Sequence, residues 1–176
     1  TFMLTRDGRR IVTSFEGATV IRDARTLRPL RSLPVGAQTA ALSPDDRTVL
    51  LGGSDGSVRF LDLVTGQVRL ASGRHEGAVV KAAFNADGAS AITAGQDDRV
   101  IVWDIRRAAA SETLAGHAGQ ITGLALSRDA RTRYTSSLDG SALIWDLSGS
   151  RRLGRPFATD SNDFYQRPRQ SLSTDG

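Results

Sequence analysis

The side chains of this sequence suited to acid–base chemistry near neutral pH are two histidines, His75 and His117, set forty-two residues apart. Cysteine is absent, which excludes disulfides, thiolate metal sites and a cysteine nucleophile. Two separated histidines without cysteine make a poor transition-metal set, so neither metal nor cofactor is expected. Asp97 and Asp98 could attract a cation, but adjacent carboxylates in a turn more often form a solvated corner. Gly52-Gly53-Ser54-Asp55-Gly56 spells the G-x-S-x-G of a hydrolase nucleophile elbow. That elbow must join a strand to a helix, whereas this stretch lies between two strand-like runs. The only lysine, Lys81, follows Val79-Val80, so there is no G-x-x-x-x-G-K-[ST] phosphate loop. No G-x-G-x-x-G opens a helix.

The elements that must position these residues recur with a fixed period. Val100–Asp104 reads V-I-V-W-D, Ala142–Asp146 reads A-L-I-W-D, and Ser57–Asp62 reads S-V-R-F-L-D, at steps of forty-two residues. A period of this length signals a repeat architecture. A turn tetrapeptide recurs in the same register: Thr5-Arg6-Asp7-Gly8, Ser43-Pro44-Asp45-Asp46, Asn85-Ala86-Asp87-Gly88, Ser127-Arg128-Asp129-Ala130 and Ser173-Thr174-Asp175-Gly176. Its small polar first residue can bond its own backbone, and Asp or Gly suits the tight close. Short strands follow at Thr48–Leu51, Ala89–Thr93 and Thr132–Ser136. A second turn, at Glu16-Gly17, Asp55-Gly56, Asp97-Asp98 and Asp139-Gly140, leads into the V-x-x-W-D strand. Near-continuous apolar residues there predict burial on both faces. Looser fourth strands are read at Leu27–Leu33, Gln67–Ala71, Glu112–Leu114 and Arg151–Leu153. No apolar run has a 3.6-residue period of helical length. Four short strands per roughly 40-residue unit predict an all-β chain of β-propeller blades, each a four-stranded antiparallel sheet.

On these residues the chain resembles the WD-repeat propellers. Gly116-His117, Asp139 and Trp145-Asp146 fit that family's pattern fully, and His75, Asp97 and Trp103-Asp104 nearly so. The second repeat keeps Asp55 and Asp62 but has Leu61 at the tryptophan position. The first has Glu16 for the turn Asp and Arg22-Asp23 for Trp-Asp. The reading is one partial propeller domain over 1–176, with repeats at about 1–37, 38–78, 79–120 and 121–168. Residues 169–176 match Thr39–Asp46 and read as the first strand of a fifth repeat, so four blades in an open arc from a longer protein are expected. The resemblance implies two hydrogen-bonded tetrads: His75, Thr93, Asp97 and Trp103, and His117, Thr135, Asp139 and Trp145. Their types also suit a Thr/His/Asp catalytic triad. Two copies in register with a repeat read as scaffold instead.

Formal charge is +4, and the arginines have acidic neighbours such as Asp7 beside Arg6 and Asp98 beside Arg99. That favours a solvated mixed-sign surface over a nucleic-acid footprint. No window reaches the ~18 apolar residues of a membrane helix. Arginine-, alanine- and glycine-rich composition suggests a high-GC bacterial genome, and a cytoplasmic location is expected. The resemblance implies a non-catalytic platform for a protein or peptide partner, with the remaining blades of a parent propeller as neighbours. It suggests the sensor or scaffold region of a larger bacterial signalling or regulatory protein. The partner-facing residues would be those before each turn Asp: Phe15, Ser54, Gln96 and Leu138. A second candidate is the enlarged loop Phe157–Arg169, through Phe157, Phe164, Tyr165, Arg167 and Arg169, types enriched at interaction hot spots. The rival reading, a propeller enzyme, needs acidic or histidine groups on the inner strands. Ala40–Leu42, Val80–Phe84 and Ile121–Leu126 offer only Lys81 and Thr122.

Overall fold

The structure, a computed structural model, describes residues 1–15, 17–127 and 131–146, with the backbone alone for Asp146. Among these the regular structure is β-strand throughout. The first sheet comprises β1 (Phe2–Leu4), β2 (Arg10–Phe15), β3 (Ala18–Asp23) and β4 (Pro29–Leu33). The second comprises β5 (Thr39–Leu42), β6 (Thr48–Gly52), β7 (Ser57–Asp62) and β8 (Val68–Arg74). The third comprises β9 (Val79–Phe84), β10 (Ser90–Gly95), β11 (Arg99–Asp104) and β12 (Ala109–Ala115). The fourth contributes β13 (Ile121–Leu126), β14 (Thr132–Ser137) and β15 (Ala142–Asp146). Within each sheet, neighbours in sequence pair antiparallel. Glu16, Arg128 to Ala130, Arg151–Leu153 and the 169–176 repeat start lie outside the described residues.

The turns do what their residues allow. In the first type, in the first two sheets, the leading side chain bonds the Asp two residues on: Thr5 Oγ1 donates to Asp7 at 2.6 Å, and Ser43 Oγ to Asp45 at 2.6 Å, whereas Asn85 in the third donates to Ser90 Oγ. The turn closes on a left-handed residue, Gly8, Asp46 or Gly88. In the first three sheets the Asp ending the third strand caps the next turn. Asp62 Oδ1 accepts the amides of Val64 and Thr65, both at 2.8 Å, and Asp104 Oδ1 accepts that of Arg107 at 2.9 Å. That turn also closes in left-handed space, at Leu27, Gly66 and Ala108. Leu27 is therefore a turn residue, and β4 starts at Pro29 rather than at 27.

Stacking follows from strand alternation. Ile101 and Trp103 of β11 pack with Leu50, Val58 and Phe60 of the second sheet. Val100 and Val102, pointing the other way, pack with Leu143 and Trp145 of the fourth. Val12 and Ile21 of the first sheet meet Val49, Leu51 and Leu61 of the second. The V-x-x-W-D strand is thus buried on both faces, because each face belongs to a different inter-sheet core. Phe60 and Trp103 cross edge-to-face with centroids 6.5 Å apart.

The sheets are not fully separate. Ser72 of β8 and Ala109 of β12 pair in parallel, fusing the second and third into one eight-stranded sheet. Ser72 N–H donates to Ala108 O at 2.7 Å, and Gly73, at φ +110°, allows the close approach of Ala110. Arginines add further ties. Arg69 donates to Ile105 O at 2.9 Å and Arg106 O at 3.1 Å. One sheet earlier, Arg31 donates to Thr65 O at 2.5 Å. A fourth-strand arginine thus reaches the carbonyls of the next sheet's third turn, twice.

Candidate functional site

His75 sits between β8 and β9, fully buried. Its Nδ1 lies 2.9 Å from Asp97 Oδ1, and its Nε2 lies 2.7 Å from Thr93 Oγ1. Trp103 Nε1 donates to the same Thr93 oxygen at 2.8 Å. Forty-two residues on, His117 Nδ1 lies 3.1 Å from Asp139 Oδ2 and Nε2 lies 2.7 Å from Thr135 Oγ1. Trp145 Nε1 donates to Thr135 at 2.9 Å. Both sets sit on faces turned toward the preceding sheet.

One proton arrangement satisfies the first set. Trp103 donates to Thr93, the Thr93 hydroxyl donates to His75 Nε2, and His75 Nδ1–H donates to Asp97. Protonating the ring would put a hydrogen on Nε2 as well and leave the threonine hydroxyl without its acceptor. Burial first of all lowers the His75 pKa, and the Asp97 hydrogen bond and charge only partly oppose it. The His75–Asp97 contact is therefore a hydrogen bond from a neutral imidazole to a carboxylate, not an ion pair. Burial acts to raise Asp97. The Glu76 amide and His75 outweigh it and hold the carboxyl below its usual range. Asp139 is likewise depressed: burial acts to raise it, but Ser141 Oγ and the Ala118 amide prevail.

Chemically these groups are spent on one another. No surface opens onto Thr93 or His75, which are both fully buried. Asp97 and Asp98 do not act as a pair. The Asp97 carboxylate turns inward to His75, while Asp98 occupies a left-handed backbone slot at φ +61°, filled by Gly56 and Gly140 in the flanking sheets. Among the described residues no group of histidines and carboxylates could hold a metal ion. The G-x-S-x-G stretch lies in the turn between β6 and β7, with Ser54 exposed, and so lacks the strand-to-helix geometry of an elbow. Lys81 and Thr122 are exposed on the inner strands β9 and β13.

Phe15, Ser54, Gln96 and Leu138 are all exposed, each at the β2–β3-type turn of its own sheet. Phe15 is 77% and Leu138 65% accessible. The loop candidates Phe157, Phe164, Tyr165, Arg167 and Arg169 lie outside the described residues.

The second sheet departs from its neighbours in a concerted way. Leu33, Leu51 and Leu61 stand where the third sheet has His75, Thr93 and Trp103, and all three pack in one apolar cluster. Arg59 takes the slot of Ile101 and Leu143. Its Nη1 donates to Ser57 Oγ at 2.6 Å, and Nη2 lies 3.7 Å from Asp55 Oδ2. Asp55 is left 61% exposed, against 6% for Asp97. Sequence reading found Leu61 alone. Aligning all positions at the forty-two-residue step would have found Leu33, Leu51 and Arg59.

A cavity of about 720 Å³ opens between the first and second sheets, lined by Phe15, Pro34, Val35, Ala37, Ser54, Asp55 and Arg59 among others. Residues 68–104 and 110–146 each match the family model described as WD domain, G-beta repeat. No curated protein matches the chain.

Proposed function

The chain carries WD40 repeats folded as β-propeller blades, and from that premise we propose that it is a non-catalytic platform for a protein or peptide partner. WD40 repeats generally mediate protein–protein interaction, and the row of turns carrying Phe15, Ser54, Gln96 and Leu138 supplies the contact face. One observation carries the reading. Exposed apolar side chains at two of these turns stand on a scaffold whose acid–base groups are buried and mutually satisfied. Loops held by a rigid scaffold are a common place for recognition. The finer reading is the sensor or scaffold region of a larger cytoplasmic regulatory protein from a bacterium, with the 157–169 loop as a second contact.

The test is affinity capture with the full chain, quantified by mass spectrometry, comparing wild type with Phe15→Ser/Leu138→Ser. A partner captured by wild type and lost from the variant supports the platform. A captured set unchanged by the variant rejects this face, and turnover of a substrate lost on Asp97→Asn would reject the non-catalytic reading.

A further inference from the structure

The third and fourth sheets show what their turns are built to bind. Glu76 N–H donates to Asp97 Oδ2 at 2.9 Å, and Gln96 N–H donates back to Ala78 O at 2.9 Å. In the fourth sheet Ala118 N–H donates to Asp139 at 2.8 Å, and Leu138 N–H to Gln120 O at 2.9 Å. In each, the bend that links two sheets is clamped by one bond in each direction, with the histidine filling the space beside it.

At the second sheet the equivalent turn is unclamped. Among the described residues Ser54 N–H has no acceptor. Asp55 Oδ2 has no donor closer than Arg59 at 3.7 Å. Arg59 uses one N–H on Ser57, and its other donors carry no described hydrogen bond. Leu33 replaces the histidine and packs on the core, Pro34 in the place of Glu76 has no N–H to give Asp55, and the 720 Å³ cavity lies between the equivalent segment, Pro34 to Gly36, and the turn at Ser54 and Asp55. Phe15, Pro34, Val35 and Ala37 give it an apolar wall. Its volume falls within the range of binding pockets.

We propose that this cavity binds an acidic peptide in trans. A peptide amide donates to Asp55, a peptide carbonyl accepts from Ser54 N–H, a carboxylate pairs with Arg59, and an adjacent apolar side chain packs on Phe15 and Pro34. The guanidinium selects the carboxylate, whose planar pair of oxygens matches its fork. This deepens the platform reading and rests on it.

The test pans a phage-displayed random heptapeptide library on the immobilised full chain and measures enriched synthetic peptides by fluorescence anisotropy. The expected peptides carry Asp or Glu within two residues of an apolar side chain. Their affinity falls at least tenfold on Asp→Asn or Glu→Gln in the peptide, and on Arg59→Leu or Phe15→Ala in the protein. Tyr134→Ala, at an exposed aromatic of the fourth sheet outside the row of turns, leaves affinity within twofold. Phe15 is exposed, so its variant reports even if Arg59→Leu disturbs folding. No enrichment, peptides lacking a carboxylate, or indifference to both Arg59→Leu and Phe15→Ala would overturn the proposal. Peptides sensitive to Leu138→Ala alone would overturn this site and leave the platform standing.

Discussion

Thr93 is the residue on which the first network turns, because one hydroxyl serves Trp103 and His75 at once. Replacing it by valine keeps the shape but leaves two buried nitrogens unpaired, each costing about 1–3 kcal/mol. Thr93→Val should therefore lose about 2–6 kcal/mol in urea unfolding, well beyond the ~1 kcal/mol of one hydrogen bond. A loss under 1 kcal/mol would show that the network contributes little. Arg133 is the opposite case. It is buried opposite Trp145, its Nε and Nη1 have no hydrogen-bond partner among the described residues, and burial lowers its pKa. Ala91 holds the same slot, opposite Trp103, in the third sheet. A buried cation short of hydrogen-bond partners, with the Glu112 charge only partly offsetting its desolvation, is costly, and an apolar residue of similar volume is often better. Arg133→Met should raise the urea midpoint; a lower one would mean that the guanidinium is satisfied.

At the scale of the strand and sheet, the burial of β11 on both faces and the two turn types were legible, because each depends on residues within about ten positions of one another. The tetrads were legible only through the resemblance, since the contact of His75 with Thr93 is a fact of register, not of spacing. Leu33, Leu51 and Arg59 were missed because each is unremarkable alone and informative only as a set. The fusion of β8 to β12 was invisible, because it rests on Ser72 meeting Ala109 across thirty-seven residues with no pairing signal in either segment. Dispersed arginines read as solvated charge; two of them instead tie one sheet to the next through backbone carbonyls. Arg69→Ala should cost about 1 kcal/mol, and Arg69→Lys should recover little, because one ammonium does not span both carbonyls. Full recovery by lysine would make the tie one of charge alone.

For the whole molecule, stacking without a single shared core makes stability approximately a sum over sheets and their interfaces, and the buried networks at those interfaces carry its pH dependence. His75 has a folded pKa below its unfolded 6.5. Its contribution is complete above pH 6.5 and is lost as pH falls, because the unfolded chain takes up a proton that the folded chain refuses. Asp97, Asp139 and the turn carboxylates Asp45, Asp55 and Asp62 are depressed below 3.8. Their contribution is present above 3.8 and is lost as pH falls through their folded values. Both classes carry the same sign, so acid destabilises in two stages, first below pH 6.5 and again below 3.8. One proton's difference corresponds to about 1.4 kcal/mol per pH unit. Urea titrations at pH 7.5, 5.5 and 3.5 should show a falling midpoint at each step, and His75→Gln should make the first step shallower by up to one proton. A midpoint that rises between pH 7.5 and 5.5 would mean that His75 is charged in the fold and that its contact with Asp97 is an ion pair after all.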